Sequence, residues 1–191
     1  MRLAVLGSTN GTDLVPVVGA ERSGSLSASV DVIISNNESS GILKKARHYG
    51  IENYFICHKN KKRGVFDFEM SQILENKKID LILLIGFMRI LSPAFVDRWG
   101  GKIINVHPSL LPKYAGGMSN DVHEGVLAAG DKETGCTIHL VTKEVDGGPI
   151  LLQKSCPVFE NDTVRSIKER VQKLEGKAFI EVINNWRNYE Y

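Results

Sequence analysis

The sequence has very little excess charge of either sign. Its 24 lysines and arginines against 22 aspartates and glutamates leave a formal charge of +2 over 191 residues. Non-specific nucleic-acid binding needs a basic surface that neutralises phosphates, so this composition does not favour it. The longest uncharged apolar run, residues 81–88, is far shorter than the roughly 20 residues that span a membrane. We therefore expect small-molecule substrates, no nucleic-acid partner, no membrane partner, and a monomer or a homodimer.

Cysteine is also scarce. Cys57, Cys136 and Cys156 lie far apart and form no CxxC pair, which excludes a zinc knuckle and makes a disulfide framework improbable. Reduced thiols suit the cytoplasm. The apolar run that ends before Gly7 is too short for the core of a signal peptide. The apolar content of 42% is that of a folded chain, and we expect one domain over residues 1–191.

Short apolar segments alternate with helical patterns along the chain. Strands are predicted over residues 3–6, 30–34, 54–56, 79–86, 103–106, 137–141 and 150–153. The first predicted helix begins at residue 12 or 13 and buries Leu14, Val15, Val17 and Val18. Further helices are predicted over residues 42–49, 65–77 and 122–129, and another begins at residues 92–93. The last helix begins at residues 161–163 and carries an apolar stripe that ends at Trp186. This alternation predicts an α/β fold with a single doubly wound, mostly parallel sheet, helices on both faces and a long C-terminal helix. Ligands of such sheets bind outside the carboxyl ends of the strands.

The first of these strand ends carries the turn Gly7-Ser-Thr-Asn-Gly-Thr-Asp13. A glycine-bearing turn that opens a helix presents free backbone N–H groups to a phosphate. The turn is neither GxGxxG nor a Walker loop, and an ordinary strand-to-helix turn remains an equal alternative.

Asn105 and His107 stand two residues apart at the end of another predicted strand, so their side chains point to the same side. An asparagine can donate to a developing oxyanion, and a histidine can donate or shuttle a proton. A histidine satisfied by a backbone carbonyl is the alternative. Asp146, in Val145-Asp-Gly-Gly-Pro149, would orient His107 and favour its charged form if its loop folds back beside residues 103–107. Otherwise it is a turn residue.

Two further features are less specific. Residues 86–91 follow the most apolar strand and would form a wall for a flat heterocycle, or else simply pack at a strand end. His123 lies in a predicted helix and His139 in a predicted strand, and we expect structural roles for both. Motifs for a metalloprotease or a serine nucleophile do not occur in the sequence.

The motifs Asn105-x-His107-Pro-Ser-Leu-Leu-Pro112 and Asp146-Gly-Gly-Pro149, together with residues 86–95, resemble the folate-dependent formyltransferase superfamily. The resemblance covers essentially the whole chain, and it is greatest to the members that act on glycinamide ribonucleotide. It implies a Rossmann-like formyltransferase fold and transfer of a formyl group from 10-formyltetrahydrofolate, a co-substrate, to the ribonucleotide amine in purine synthesis. It implies no metal.

The resemblance also implies roles for individual residues. The catalytic trio would be Asn105, His107 and Asp146; Gly11, Thr12 and Asp13 would hold the substrate phosphate, Glu175 would contact the ribonucleotide, and Arg63, Met88, Arg89, Ile90, Leu91 and Asn105 would bind the folate. One departure stands out. The family usually has asparagine where this chain has Asp13, and a carboxylate beside a phosphate is unfavourable, so Asp13 should turn away or bind through its backbone.

Other activities share the same trio. Relatives formylate methionyl-tRNA or nucleotide sugars, or hydrolyse formyltetrahydrofolate. The tRNA enzymes look longer, with a nucleic-acid-binding domain, and the hydrolase carries an extra N-terminal domain. A non-catalytic module that binds a phosphate ligand is a further alternative, and Asp13 is the feature in its favour.

Overall fold

The computed structural model describes residues 1–189, apart from the side chain of Ser119. Within that range, strands and helices alternate along the chain. The strands are β1 (Arg2–Leu6), β2 (Ser29–Ser35), β3 (Asn53–Phe55), β4 (Leu81–Leu84), β5 (Ile103–His107), β6 (Glu133–Leu140) and β7 (Ile150–Pro157). The α-helices are α1 (Leu14–Arg22), α2 (Gly41–Tyr49), α3 (Arg63–Asn76), α4 (Pro93–Arg98), α5 (Ser119–Ala128) and α6 (Val164–Asn184), and a 3-10 turn follows over Trp186–Tyr189.

The strands form one sheet in the order β3-β2-β1-β4-β5-β6-β7. The first five strands of the chain pair in parallel, whereas β6 and β7 are antiparallel to their neighbours. The chain runs outward from β1 to β3 and then starts again on the other side of β1 with β4. This reversal is the topological switch of a doubly wound sheet, where a crevice opens at the carboxyl ends of the strands.

Both faces of the sheet are covered by helices, as the apolar run over residues 79–86 predicts. Side chains of β4 alternate between two cores: Leu81 and Leu83 pack on one face, and Ile82 and Leu84 on the other. The first core contains residues of α1, α2, α5 and α6, and the second contains residues of α3 and α4. Over residues 1–189, no helix is long and apolar enough to cross a membrane.

The long helix α6 begins where the sequence predicts. The Thr163 side chain accepts a hydrogen bond from the Ser166 N–H, and the Ser166 hydroxyl accepts one from the Thr163 N–H, so each satisfies a donor that the first turn leaves free. Buried residues at helical spacing, among them Ile167, Val171 and Val182, then attach α6 to the sheet.

Three local predictions were wrong, and the first is the strand over residues 79–86, of which β4 covers only Leu81–Leu84. Val15 is exposed, because the row formed by Leu14, Val17 and Val18 faces the core and turns the intervening side chain outward. The last two strands are longer than predicted, since β6 starts at Glu133 and β7 extends to Pro157, while residue 141 lies outside β6. In β7 only Leu151 and Cys156 are buried, so an apolar run marks only part of the paired strand.

Candidate active site

The loops after β1 and β4 meet at the carboxyl edge of the sheet. The N–H of Ser8 donates to the carbonyl of Gly86 at 2.9 Å, and the Ser8 hydroxyl accepts from the N–H of Met88 at the same distance. The glycine turn and the segment 86–91 are therefore the two sides of one crevice, which is where the strand order predicts a ligand.

Asn105 and His107 lie near the carboxyl end of β5, at positions that pair with β6. Antiparallel pairing sets Asn105 opposite His139, and the Asn105 Nδ2 atom lies 3.2 Å from Nε2 of His139. The Nδ1 atom of His139 lies 2.9 Å from the carbonyl oxygen of Leu140, which can only accept. The proton of a neutral His139 is thus held on Nδ1, and its Nε2 is the acceptor for the Asn105 amide.

Asp146 lies beside both histidines. Its Oδ2 is 3.1 Å from Nδ1 of His107, its Oδ1 is 3.5 Å from Nε2 of His139, and the backbone N–H of Gly116 donates to Oδ2 at 2.8 Å. Burial acts to raise the pKa of Asp146, but the hydrogen bonds from His107 and Gly116, together with the nearby His139 ring, outweigh it and hold that pKa well below its usual range. Asp146 is therefore a carboxylate at neutral pH.

The loop reaches this position through two backbone features. Asp146 has a φ of 54°, in the left-handed region that aspartate and asparagine tolerate better than most residues. At Gly148 any Cβ would collide with the carbonyl oxygen of Leu140, so only glycine allows the loop to lie against the end of β6. The N–H of Leu140 then donates to the carbonyl of Pro149 at 2.9 Å.

His107 is almost fully buried and has an acceptor at each ring nitrogen. Asp146 lies at Nδ1, and the carbonyl oxygen of Tyr114 lies 2.9 Å from Nε2. A ring protonated on both nitrogens would satisfy both acceptors, since both nitrogens then donate. A histidine satisfied by a backbone carbonyl and one oriented by Asp146 are alternatives from the sequence, and the structure shows both contacts on the same ring.

His139 is expected to have a structural role, and the structure adds that its ring contacts the Asn105 and Asp146 side chains. Strand alternation alone could not show that β5 and β6 are antiparallel neighbours in this register. His123 stands apart on α5, where it is buried and its Nδ1 has no partner among the described residues. Burial, then the charges of Lys168 and His107, lower the pKa of His123 to about 4.

The glycine turn has the geometry of an anion site. Gly11 has a φ of 62°, and a Cβ there would run into the side chain of Ile42. The carbonyls of Gly11 and Thr12 accept from the N–H groups of Leu14 and Val15 in the first turn of α1. Within residues 1–189, the N–H groups of Gly11 and Thr12 donate to no protein acceptor. They remain available at the positive end of the helix dipole.

Asp13 lies next to this turn, but its side chain does not face solvent. It is buried near Glu175 of α6, and the two carboxyl groups are close enough to influence each other's pKa. Burial raises the pKa of Asp13 to about 6. Burial, followed by the charge of Asp13, raises the pKa of Glu175 well above its ordinary value. The two residues predicted to contact the ribonucleotide thus meet each other.

The residues predicted to bind folate are more scattered. Met88 and Ile90 are exposed at the crevice, while the Leu91 side chain is buried in the second core and leaves only its backbone for a ligand. The guanidinium carbon of Arg89 lies 4.9 Å from the centre of the Phe66 ring, and the Arg89 Nε is buried without a partner among the described residues. Arg63 is exposed at the start of α3.

Comparison with known proteins gives a consistent result. A family described as "Formyl transferase" matches residues 1–183. The Escherichia coli phosphoribosylglycinamide formyltransferase is 38% identical over 185 residues, which are 96% of this chain and 86% of that protein. The human trifunctional purine biosynthetic protein adenosine-3 is 44% identical over 93% of this chain, although the chain spans only 17% of its length.

A crystal structure of phosphoribosylglycinamide formyltransferase from Coxiella burnetii superimposes with a TM-score of 0.91 at 37% identity, over 96% of this chain and 85% of that one. Such agreement over nearly the full length of both chains extends well beyond a shared sheet topology. Both the β5–β6 side chains and the loops at the sheet edge fall inside the matched residues, and the chain belongs to the formyl transferase family.

Proposed function

We propose that this chain transfers the formyl group of 10-formyltetrahydrofolate to the amine of glycinamide ribonucleotide, a step of purine synthesis. The observation that carries the proposal is the cluster of Asn105, His107 and Asp146 at the crevice that also holds the glycine turn. The similarity to proteins named phosphoribosylglycinamide formyltransferase supports this choice of acceptor.

The reaction needs stabilisation of an oxyanion. The substrate amine attacks the formyl carbon, the carbonyl bond opens, and a tetrahedral intermediate with a negatively charged oxygen forms. The Asn105 amide carries two N–H donors, of which the contact with His139 uses one, so the other is free for this oxygen. A protonated His107 is the second donor. Its Nε2 must then exchange the Tyr114 carbonyl for the substrate oxygen.

The reaction also moves a proton. The attacking nitrogen loses one proton, the bond between the formyl carbon and the folate nitrogen breaks, and that nitrogen gains a proton. His107 can carry this proton directly or through an ordered water. Asp146 stays ionised and holds the imidazolium in position, as its hydrogen bonds and lowered pKa support. Binding both substrates in one crevice adds the proximity contribution.

The substrates would occupy the two sides of the crevice. The phosphate would bind the N–H groups of Gly11 to Asp13, with Glu175 on the ribonucleotide side. The folate would lie along residues 88–91, contacting exposed Met88 and Ile90 and the backbone of Leu91, and Arg63 would be the basic residue nearest to its far end.

Steady-state assays of the purified protein test the proposal. We expect formyl transfer from 10-formyltetrahydrofolate to glycinamide ribonucleotide to exceed release of free formate by at least about tenfold. Formate release without transfer would instead favour the hydrolase alternative. Binding of the ribonucleotide without either reaction would favour the non-catalytic module.

A further inference from the structure

The contact between Asp13 and Glu175 joins two distant parts of the chain in a buried place. Asp13 is 6% exposed and Glu175 is 6% exposed, so neither carboxyl group is free to take a counter-ion from solvent. Two buried carboxyl groups destabilise each other when both are ionised, because their like charges are poorly screened there. One proton held by the pair removes one of the two charges.

The packing of the helices fixes this contact. Helix α1 packs against α6, and the closest approach lies beside the pair, where a Cβ on Gly176 would collide with the ring of Pro16. Gly176 directly follows Glu175, and Pro16 lies in the first turn after Asp13. The two carboxyl groups therefore have little room to separate.

The surroundings do little to compensate two negative charges. The Asp13 Oδ1 atom is buried and has no hydrogen-bond partner among the described residues. The groups that face the pair are Lys168 from α6, whose charge acts on Glu175, and Cys136 from β6. Burial and then the charges of Glu175 and Asp13 raise the pKa of Cys136 to about 12, and His123 on α5 is neutral at pH 7. Among the described residues, Lys168 is the cation whose charge lowers the pKa of Glu175.

We propose that Asp13 is a specificity-determining residue that makes binding of a phosphoribosyl ligand depend on a proton shared with Glu175. With one proton, the pair carries a single negative charge and tolerates a phosphate on the adjacent N–H groups of Gly11 and Thr12. Without it, two buried charges stand beside the phosphate and repel it. This inference rests on the proposed function for the position of the phosphate.

Proton sharing is tested first without ligand. Infrared spectra of the protein at pH 7 should show the carbonyl band of a protonated carboxylic acid that the D13N/E175Q double variant lacks. The band should fade in the wild type as the pH is raised. Identical spectra of the two proteins at pH 7 would overturn the proposal. If the double variant does not fold, the single E175Q variant serves for the same comparison.

Binding is tested with ribose 5-phosphate as the probe, by calorimetry between pH 6 and pH 9. If the bound form needs the shared proton, wild-type affinity should fall up to about tenfold per pH unit once the pair loses it. The D13N variant keeps at most one charge at the pair, so this alkaline loss should disappear. The exposed Glu124 offers a control, since E124Q removes a charge elsewhere and should behave like the wild type.

The outcomes separate this inference from the proposed function. Parallel pH curves for the wild type and D13N would refute the role of Asp13. An alkaline loss of ribose 5-phosphate affinity that D13N abolishes would support it, even if no formyl transfer to glycinamide ribonucleotide were found. The absence of formyl transfer would refute the proposed function alone and would leave the role of Asp13 standing.

Discussion

Removing the charge of Asp146 without changing its shape tests the mechanism most directly. Asparagine is the appropriate replacement, since it tolerates the left-handed φ of 54° at this position and can still accept the N–H of Gly116. Alanine would add backbone strain and confuse the result. The D146N variant therefore isolates the electrostatic contribution of the carboxylate to His107.

The size of the effect follows from the geometry. The carboxylate oxygen lies 3.1 Å from Nδ1 of His107. Opposite unit charges centred about 4 Å apart at an effective dielectric constant of about 20 attract by roughly 4 kcal/mol. Because the asparagine amide retains part of this as a dipole, we expect a loss of about 3 kcal/mol in the transition state, or roughly 10²-fold in kcat. The KM for the ribonucleotide should change less.

Steady-state kinetics of formyl transfer measure this loss, and a second buried carboxylate supplies the control. Asp162 accepts hydrogen bonds from both terminal nitrogens of Arg170, at 2.7 and 2.8 Å, far from the catalytic cluster along the chain. D162N should lower stability but leave kcat within about twofold. A D146N enzyme with kcat equally close to that of the wild type would show that Asp146 is only a turn residue.

Substitutions at three other positions have definite expectations. H107A should lower kcat by about 10²-fold or more, with a smaller change in KM, and near-normal turnover would remove His107 from the mechanism. H139F keeps a ring but loses the contacts with Asn105 and Asp146, so kcat should fall about tenfold, with partial recovery in H139Q; equal rates in both variants would mean that His139 only fills space. H123L concerns stability. Between pH 6.5 and about 4, His123 is protonated in the unfolded chain but stays neutral in the folded wild type. The free energy of unfolding therefore falls as the pH drops through that range, by about 3 kcal/mol in total. Calorimetric unfolding of H123L should show this acid loss reduced, and an unchanged pH slope would contradict the argument.

The sequence predicted best those features that depend on local chemistry. The run over residues 79–86 indicates a strand covered on both faces, and β4 divides its side chains between two cores. The Asn161-Asp-Thr163 segment indicates a helix start, and Thr163 caps α6. These predictions succeed because periodicity and capping act over a few residues, the range within which sequence carries the signal.

What could not be predicted depends on register and on distant helices. His139 meets Asn105 only because β6 runs antiparallel to β5 in a particular alignment, and a shift of one residue would turn its side chain to the other face. Asp13 meets Glu175 only because α1 and α6 pack closely at Gly176. The sequence shows that each residue is present, but which residues come into contact is decided by the tertiary structure.

The two aspartates of the crevice show how much of the chemistry is decided by neighbours. Both Asp13 and Asp146 are largely buried, and burial alone would raise the pKa of each. Asp146 receives hydrogen bonds from the His107 imidazole and a backbone N–H and lies beside the His139 ring, and these contacts outweigh burial and keep it charged. Asp13 instead has one oxygen without a donor and a second carboxyl group as neighbour, so burial prevails. The strand arrangement explains this difference. The antiparallel hairpin of β6 and β7 brings His139 and the Asp146 loop to β5, whereas the start of α1, helix α6 and Cys136 of β6 surround Asp13. In the proposed mechanism, a negative charge is therefore fixed on the side where the formyl group would react, and a proton is retained on the side where the phosphate would bind.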